Sequence, residues 1–335
     1  MPKVSIIIPY YNQDEDMLIR CIKSAQSQTY PDHELIIVND GSDPNHTALL
    51  HDSCSQFNNI RLFEQENAGV SAARNLGVSK AEGEYITFLD ADDELQPFFL
   101  EEAIRIEEET GVDLVIGGVR EVTEEEETDE DNGNLEAVVY KDNKTALCEH
   151  LIDRLIRYPG GYIGRGPVAR LVKRELAARI PFDQGIKIGE DIIWNLRLLK
   201  VCDSVAVVRR TWYLYHINPG SATRKFNPEI VQEAADELQK ICQVADLEDD
   251  SQYLAVCNHI IEELKKIHDC LIWRREWKVS SNERSETVKS LYREEPWNMI
   301  RSNRYMRLTD PKGKIKATLY RWHLLFTVWR LAGAK

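Results

Sequence analysis

Three short, mostly apolar runs, Val4–Ile8, Glu34–Val38 and Glu84–Leu89, each stop at a polar cluster. The clusters are Pro9-Tyr10-Tyr11-Asn12, Asn39-Asp40-Gly41-Ser42 and Asp90-Ala91-Asp92-Asp93. Apolar runs of this length, rich in β-branched residues, fit strands covered on both faces, the pattern of a parallel sheet. Helical spacings separate them. Asp16–Gln28 places Met17, Ile19, Ile22 and Ala25 near one face, Ser71–Lys80 offers Ser71 as its cap, and Pro97–Thr110 is closed by Gly111. Further strands are predicted at Ile60–Phe63 and Asp113–Ile116. Alternating strands and helices predict an α/β sheet with parallel strands.

In open α/β sheets, ligands bind beyond the carboxyl ends of the strands. Those ends converge, so the three clusters should share one site. An aromatic ring, a hydrogen-bonding carboxylate and a carboxylate cluster suit a nucleotide base, a ribose and a metal-bound diphosphate, with Mg²⁺ or Mn²⁺ as the oxygen-loving cation. A single aspartate after a strand is ordinarily a turn or a cap. Three such clusters at successive strand ends are not explained that way. A dinucleotide loop is excluded, because Pro9–Asp14 contains no glycine, and no P-loop is present. The near match Gly164-Arg165-Gly166-Pro167-Val168-Ala169 follows no clear strand, and Pro167 lacks an amide proton.

Charge narrows the partners. The 335 residues carry 42 Lys+Arg against 56 Asp+Glu, a formal charge of −14, which argues against nucleic acid as a partner. The charge is uneven: residues 296–335 hold nine basic residues and one acid, whereas residues 121–131 hold eight acids, a pattern read as a solvated loop. Seven cysteines without a C-x-x-C pair point to a reducing compartment rather than to a disulfide scaffold. No signal peptide and no membrane span are expected.

In order, the stretches VSIIIPYYN, SQTYPDHELIIVNDGSD, NAGVSAARNLGVSKAEGEYITFLDADD, GIKIGEDIIWNLRLL and YHINPGSAT resemble the family 2 glycosyltransferases, from residue 3 to about 225. The resemblance implies a GT-A fold: a Rossmann-like, mixed, mainly parallel sheet flanked by helices, followed by a C-terminal helical region. The domains would be 1–225, with the donor side in 1–120 and the acceptor and base side in 150–225, and then 226–335. The implied activity is transfer of a sugar from a nucleotide sugar, usually UDP-linked, to an acceptor hydroxyl with inversion. A saccharide or a lipid-linked saccharide would accept it, as in bacterial surface polysaccharide synthesis.

Residue by residue, the resemblance places Pro9 and Tyr11 around the base and Asp40 on uracil. It puts Arg74 and Asn75 near the nucleotide, Asp90 on ribose and Asp92 on the metal as the D-x-D pair. Asp93 follows that pair. Asp191 matches the catalytic base, with Glu190 as the competing carboxylate. His216 and Ser221 match the segment that closes over the diphosphate, His216 also being a metal candidate. Without the resemblance, Glu190 and Asp191 read as acids favouring a helix N-terminus. A receiver-like Mg²⁺-binding module and a non-catalytic scaffold are the rival readings. The receiver needs a later lysine at a strand end that cannot be placed, and the scaffold is opposed by Asp40, Asp90, Asp92 and Asp191. A sugar-nucleotide pyrophosphorylase would need a glycine-rich basic loop where Tyr10-Tyr11-Asn12 stands.

From about Asn227 the pattern becomes amphipathic helix, as in Ile230, Ala234, Leu238 and Ile241. At the end, Ile315, Leu319, Trp322, Phe326 and Trp329 follow the spacing of one helical face, flanked by Lys312, Lys314, Lys316, Arg321 and Arg330. Such a helix over 312–331 fits an anionic membrane surface, or packing on the helical region or on a second subunit of an oligomer. The expected location is cytoplasmic, with the inner face of the plasma membrane as the surface that tail would touch.

Overall fold

The computed structural model describes residues 2–122, 135–141, 164–217 and 226–333. They fall into two units. The first draws its described residues from Met1–His150 and Gly160–Asn218, the second from Pro219–Lys335. The expected boundary at 225 lies outside the described residues, as does most of the acidic run 121–131.

The first unit begins with β1 (Val4–Tyr10), all seven residues of which are buried. Then follow α1 (Glu15–Gln26), β2 (His33–Asp40), α2 (Pro44–Ser55), β3 (Ile60–Gln65), α3 (Val70–Lys80) and β4 (Tyr85–Phe88). Next come β5 (Glu94–Leu95), α4 (Phe99–Thr110), β6 (Leu114–Val122) and β7 (Ala137–Lys141). The unit ends with β8 (Arg170–Lys173), α5 (Arg174–Arg179), α6 (Glu190–Val201) and β9 (Ser204–His216). One sheet runs in the order β3-β2-β1-β4-β8-β6-β9-β5, with β7 also on β9. Neighbours among β3, β2, β1 and β4 are parallel, as are β6 and β9, while β8, β5 and β7 pair antiparallel. The sheet is thus mixed, as the resemblance implies.

Packing explains the local structure. Leu18, Cys21, Ile22 and Ala25 are the buried stripe of α1 and join Ile6, Ile8 and Leu35 in the core. Each leucine or isoleucine among them contributes about 1.5–3 kcal/mol when fully buried. Gly77 lets α3 approach β1: a Cβ there would lie 2.3 Å from Ile7 Cγ2. The predicted Ser71 cap is corrected. The N-cap of α3 is Gly69, at φ +89°, and Ser71 sits buried inside the first turn. A side chain with a Cβ is strained at that angle, so the hydroxyl yields the position to glycine. The helix α2 was not visible as a stripe, because Leu50 and Ser53 are its only buried residues. Its cap was readable: the Asp43 carboxylate accepts the Asn45 and His46 amides, and Pro44 opens the helix.

The second unit contains α7 (Ile230–Val244), α8 (Asp250–Ile267), α9 (Ser281–Arg293), α10 (Asn303–Leu308), α11 (Pro311–Arg321) and α12 (Leu325–Gly333). Ile230, Ala234, Leu238 and Ile241 are buried along α7, as their spacing predicts. The single apolar face over 315–329 is corrected. The chain leaves the helix at Trp322, and His323 takes φ +60°, so α11 and α12 are separate. Gly313, Ala317 and Tyr320 form the buried side of α11, while Ile315 is 61% and Trp322 71% exposed. No helix among the described residues is long and apolar enough to cross a membrane.

Candidate active site

Asp40 ends β2 and is nearly fully buried. Its carboxylate accepts hydrogen bonds from Gln65 Nε2 at 2.7 Å, the Ala68 amide at 2.9 Å and the Gly69 amide at 2.8 Å. Those bonds fold the 65–69 loop over the strand end, and a carboxylate oxygen pair can accept one bond more. Gly41, at φ +67°, is required here, since a Cβ would stand 2.4 Å from the Asn67 amide nitrogen. Pro9 is buried in β1, and Tyr11 just beyond it is 53% exposed, a ring presented to solvent. Asn12, at φ +47°, ties this end to the β2 end. Its amide donates to Ser42 Oγ at 3.0 Å, and its Oδ1 accepts the Asp43 amide at 2.9 Å.

The Asp90–Asp93 turn follows β4. Arg74 of α3, buried, donates to Asp90 Oδ1 at 3.0 Å and to Glu190 Oε1 at 3.2 Å. Its guanidinium also lies over the Phe182 ring, 5.3 Å from the centroid. One cation therefore joins the D-x-D turn to the start of α6. Both ends of the Asn75 amide are engaged by the Phe182 backbone, at 3.0 and 2.8 Å, so Asn75 positions the 182 segment. Beneath them Phe182 stacks on Trp194 at 4.9 Å, and both meet Phe88 edge-on. Trp194 and Trp212 belong to the core.

Glu190 and Asp191 open α6, where the helix dipole favours acids. Burial and the neighbouring Asp191 push Glu190 up to about 7, against the pull of Arg74. Asp191 is half-buried, and its Oδ1 accepts the Ile192 amide at 2.7 Å. Asn195, one turn on, donates to the Arg165 and Gly166 carbonyls, fixing that loop against α6. Arg170, fully buried in β8, has its guanidinium pulled down to about 9 by burial, offset in part by the charge of Asp191.

Besides Asp93, already named beside the D-x-D pair, Arg20 and Glu94 take part without a strong sequence signal. Asp93, 1% exposed, accepts the Tyr213 hydroxyl at 2.7 Å and the His216 amide at 2.8 Å. Burial and the charges of Asp90 and Asp92 push its carboxyl up to about 8. Arg20 donates to the Asp92 carbonyl at 2.7 Å and pairs with Glu94 at 3.3 Å. The same Glu94 carboxylate takes His216 Nε2 at 2.7 Å. A metal contact by His216 would therefore use its Nδ1 or break the bond to Glu94. The one readable hint was Glu94 completing an acidic run beside a strand end. Ser221 lies outside the described residues.

A buried arginine thus joins the strand-end carboxylates to the acid pair at a helix start in this candidate site. Residues 5–165 match the glycosyl transferase family 2 model. The uncharacterized glycosyltransferase EpsJ of Bacillus subtilis is 33% identical over 228 residues, covering 67% of this chain and 63% of EpsJ. The glycosyltransferase GlyA of Streptococcus pneumoniae is 28% identical over 249 residues, 71% of this chain and 34% of GlyA. The chain thus spans less than two thirds of the length of either relative. The structure of S. aureus TarS 1-349 in complex with UDP-GlcNAc superposes with a TM-score of 0.65 at 18% identity, over 96% of this chain and 88% of that one. Residues 5–165 thus form a glycosyl transferase family 2 domain, and the fold is that of TarS 1-349.

Proposed function

We propose that this protein transfers a sugar from a nucleotide sugar, a UDP-sugar foremost, to an acceptor hydroxyl with inversion. One observation carries the reading. Arg74 holds Asp90 of the donor-side turn and Glu190 of the base-side helix on one guanidinium. In this reading the clamp keeps the donor carboxylates and the start of the helix that bears the base at one reaction centre. TarS, of the same fold, is seen with UDP-GlcNAc, which supports a UDP-sugar as donor.

In this reading, Tyr11 and Pro9 flank the base and Asp40 receives it, while Asp90 meets the ribose. Asp92, with Asp90, would hold Mn²⁺ or Mg²⁺. The donor set fits such an ion: three carboxyl groups crowd four residues, and their repulsion helps push Asp93 up to about 8. A bound divalent cation neutralises charge on the departing diphosphate. Asp191 accepts the proton of the attacking hydroxyl as the new C–O bond forms, and the electron pair of the breaking bond leaves with the diphosphate. A positioned base of this kind contributes about 10²–10⁴-fold. Glu190 is the alternative base, but its carboxylate is engaged by Arg74, which favours Asp191.

The tail supports an acceptor at a membrane surface. Ile315, Trp322 and Leu331 are exposed alongside Lys312, Lys314, Lys316 and Arg330. Exposed apolar side chains among basic ones suit peripheral contact with anionic lipid. Sedimentation with anionic vesicles, lost in Trp322→Ser, tests that part.

The transfer itself is tested by incubating the purified protein with a panel of nucleotide sugars and Mn²⁺ and following UDP or GDP release. Release from one UDP-sugar, abolished by chelation and in Asp92→Asn, is expected. Absence of both release and nucleotide binding at millimolar UDP contradicts the donor site.

A further inference from the structure

The second unit buries a group of side chains that sugar transfer does not use. Glu237 on α7 and His259 and Glu263 on α8 are 1%, 0% and 4% exposed. One donor atom from each lies within 4.8 Å of the other two. His259 Nε2 and Glu237 Oε1 are 3.0 Å apart. His259 and Glu263 are four residues apart on α8, so both project from one face of the helix. The other oxygen of Glu237, Oε2, is buried and has no hydrogen-bond partner among the described residues.

Such a group is costly as it stands. A buried carboxylate oxygen left unpaired forfeits its hydration without replacement. Lys266 Nζ reaches Glu263 Oε2 at 3.3 Å, and Glu262 Oε2 faces His259 Nδ1 at 3.7 Å. With a neutral imidazole, three carboxylates and one ammonium leave two negative charges, the charge of a divalent cation. Two carboxylates and one imidazole are also the donor set that first-row transition ions accept. Ligands at bond lengths of about 2.0–2.2 Å stand roughly 3–3.5 Å from one another, close to the spacing of Glu237 and His259. A ligating histidine commonly turns its other ring nitrogen toward a carboxylate, and Glu262 Oε2 stands on that side of the ring, 3.7 Å from Nδ1 and just beyond hydrogen-bond reach.

We propose that Glu237, His259 and Glu263 bind a divalent transition ion, zinc or manganese, that braces α7 against α8. The ion is structural and separate from the donor site.

The test uses the full chain carrying Asp92→Asn, which removes the donor-site ligand and keeps the two sites distinguishable. The protein is stripped with EDTA and titrated by calorimetry with Zn²⁺ and, separately, Mn²⁺, and its thermal midpoint is followed. One equivalent of at least one of the two ions should bind and raise the midpoint. Glu262→Gln, at a partly exposed position, keeps the shape and should weaken binding about tenfold. Glu237→Gln in the same background should abolish it. The proposal is overturned if the parent chain binds neither ion, or if all variants bind as the parent does. Should Glu237→Gln not fold, the parent stoichiometry and Glu262→Gln decide the question.

Discussion

Two regions of the molecule bury carboxylates, and they handle them differently. At the strand ends of the first unit, each buried acid has a dedicated donor. Asp40 takes two amides and Gln65, Asp93 takes Tyr213 and an amide, and Asp90 and Glu190 share Arg74. In the second unit, Glu237 and Glu263 have one imidazole and one lysine between them. The first arrangement gives each of these acids a donor before any ligand binds, so they are held in place for something that arrives and leaves. The second leaves a carboxylate oxygen unsatisfied, as expected of a site whose ion stays.

The clamp offers the largest effect. Arg74→Met should destabilise the first unit by about 3–5 kcal/mol, because it strands two partly buried carboxylates without their cation. Chemical denaturation measures this, and Arg74→Lys should recover only part, since one ammonium cannot repeat the fork. Wild-type stability in Arg74→Met would mean that the two acids do not depend on their shared cation.

A smaller loss tests the packing behind the site. A Cβ at Gly117 would stand 2.1 Å from the Trp212 ring, which itself donates to Glu102. Gly117→Ala should cost about 1–3 kcal/mol through overpacking, read as a lowered thermal midpoint.

A third effect is in pH. Glu190 is raised to about 7 from an ordinary 4.5, by burial and by Asp191. The folded protein then keeps a proton that the unfolded chain has released. Its contribution is fully present below about pH 4.5 and declines until the pH passes about 7, above which it is flat. Glu190→Gln should remove that slope from a stability profile taken between pH 4.5 and 8. A slope unchanged in the variant would assign it elsewhere.

The legible parts of the chain were those built from local contrast. β1, β2 and β4 announce themselves because each carries an apolar run that gives way at once to a polar cluster. The acids at their ends, and Glu190 and Asp191 at a helix start, could be named for the same reason. What joins them was not legible. Arg74 and Glu190 are 116 residues apart, and nothing local says that one guanidinium serves both. β8 was hidden by a buried arginine, and β5 by having two residues. The tail was misread because its spacing holds only if the helix continues through Trp322, where the backbone turns instead. The Glu237 group had half a signal, the spacing of His259 and Glu263 within one helix, and its third member lies on another.

The central claim is that donor carboxylates and base are distinct parts of one site. It is tested most directly by measuring UDP affinity and UDP-sugar turnover together in Asp191→Asn and Asp92→Asn with Mn²⁺. Asp191→Asn should keep UDP affinity within about twofold while turnover falls at least about 10²-fold. Asp92→Asn should lose the Mn²⁺-dependent part of the affinity. If Asp191→Asn turns over as the wild type does, or if Asp92→Asn binds UDP with its Mn²⁺ dependence intact, these residues do not have the roles assigned to them.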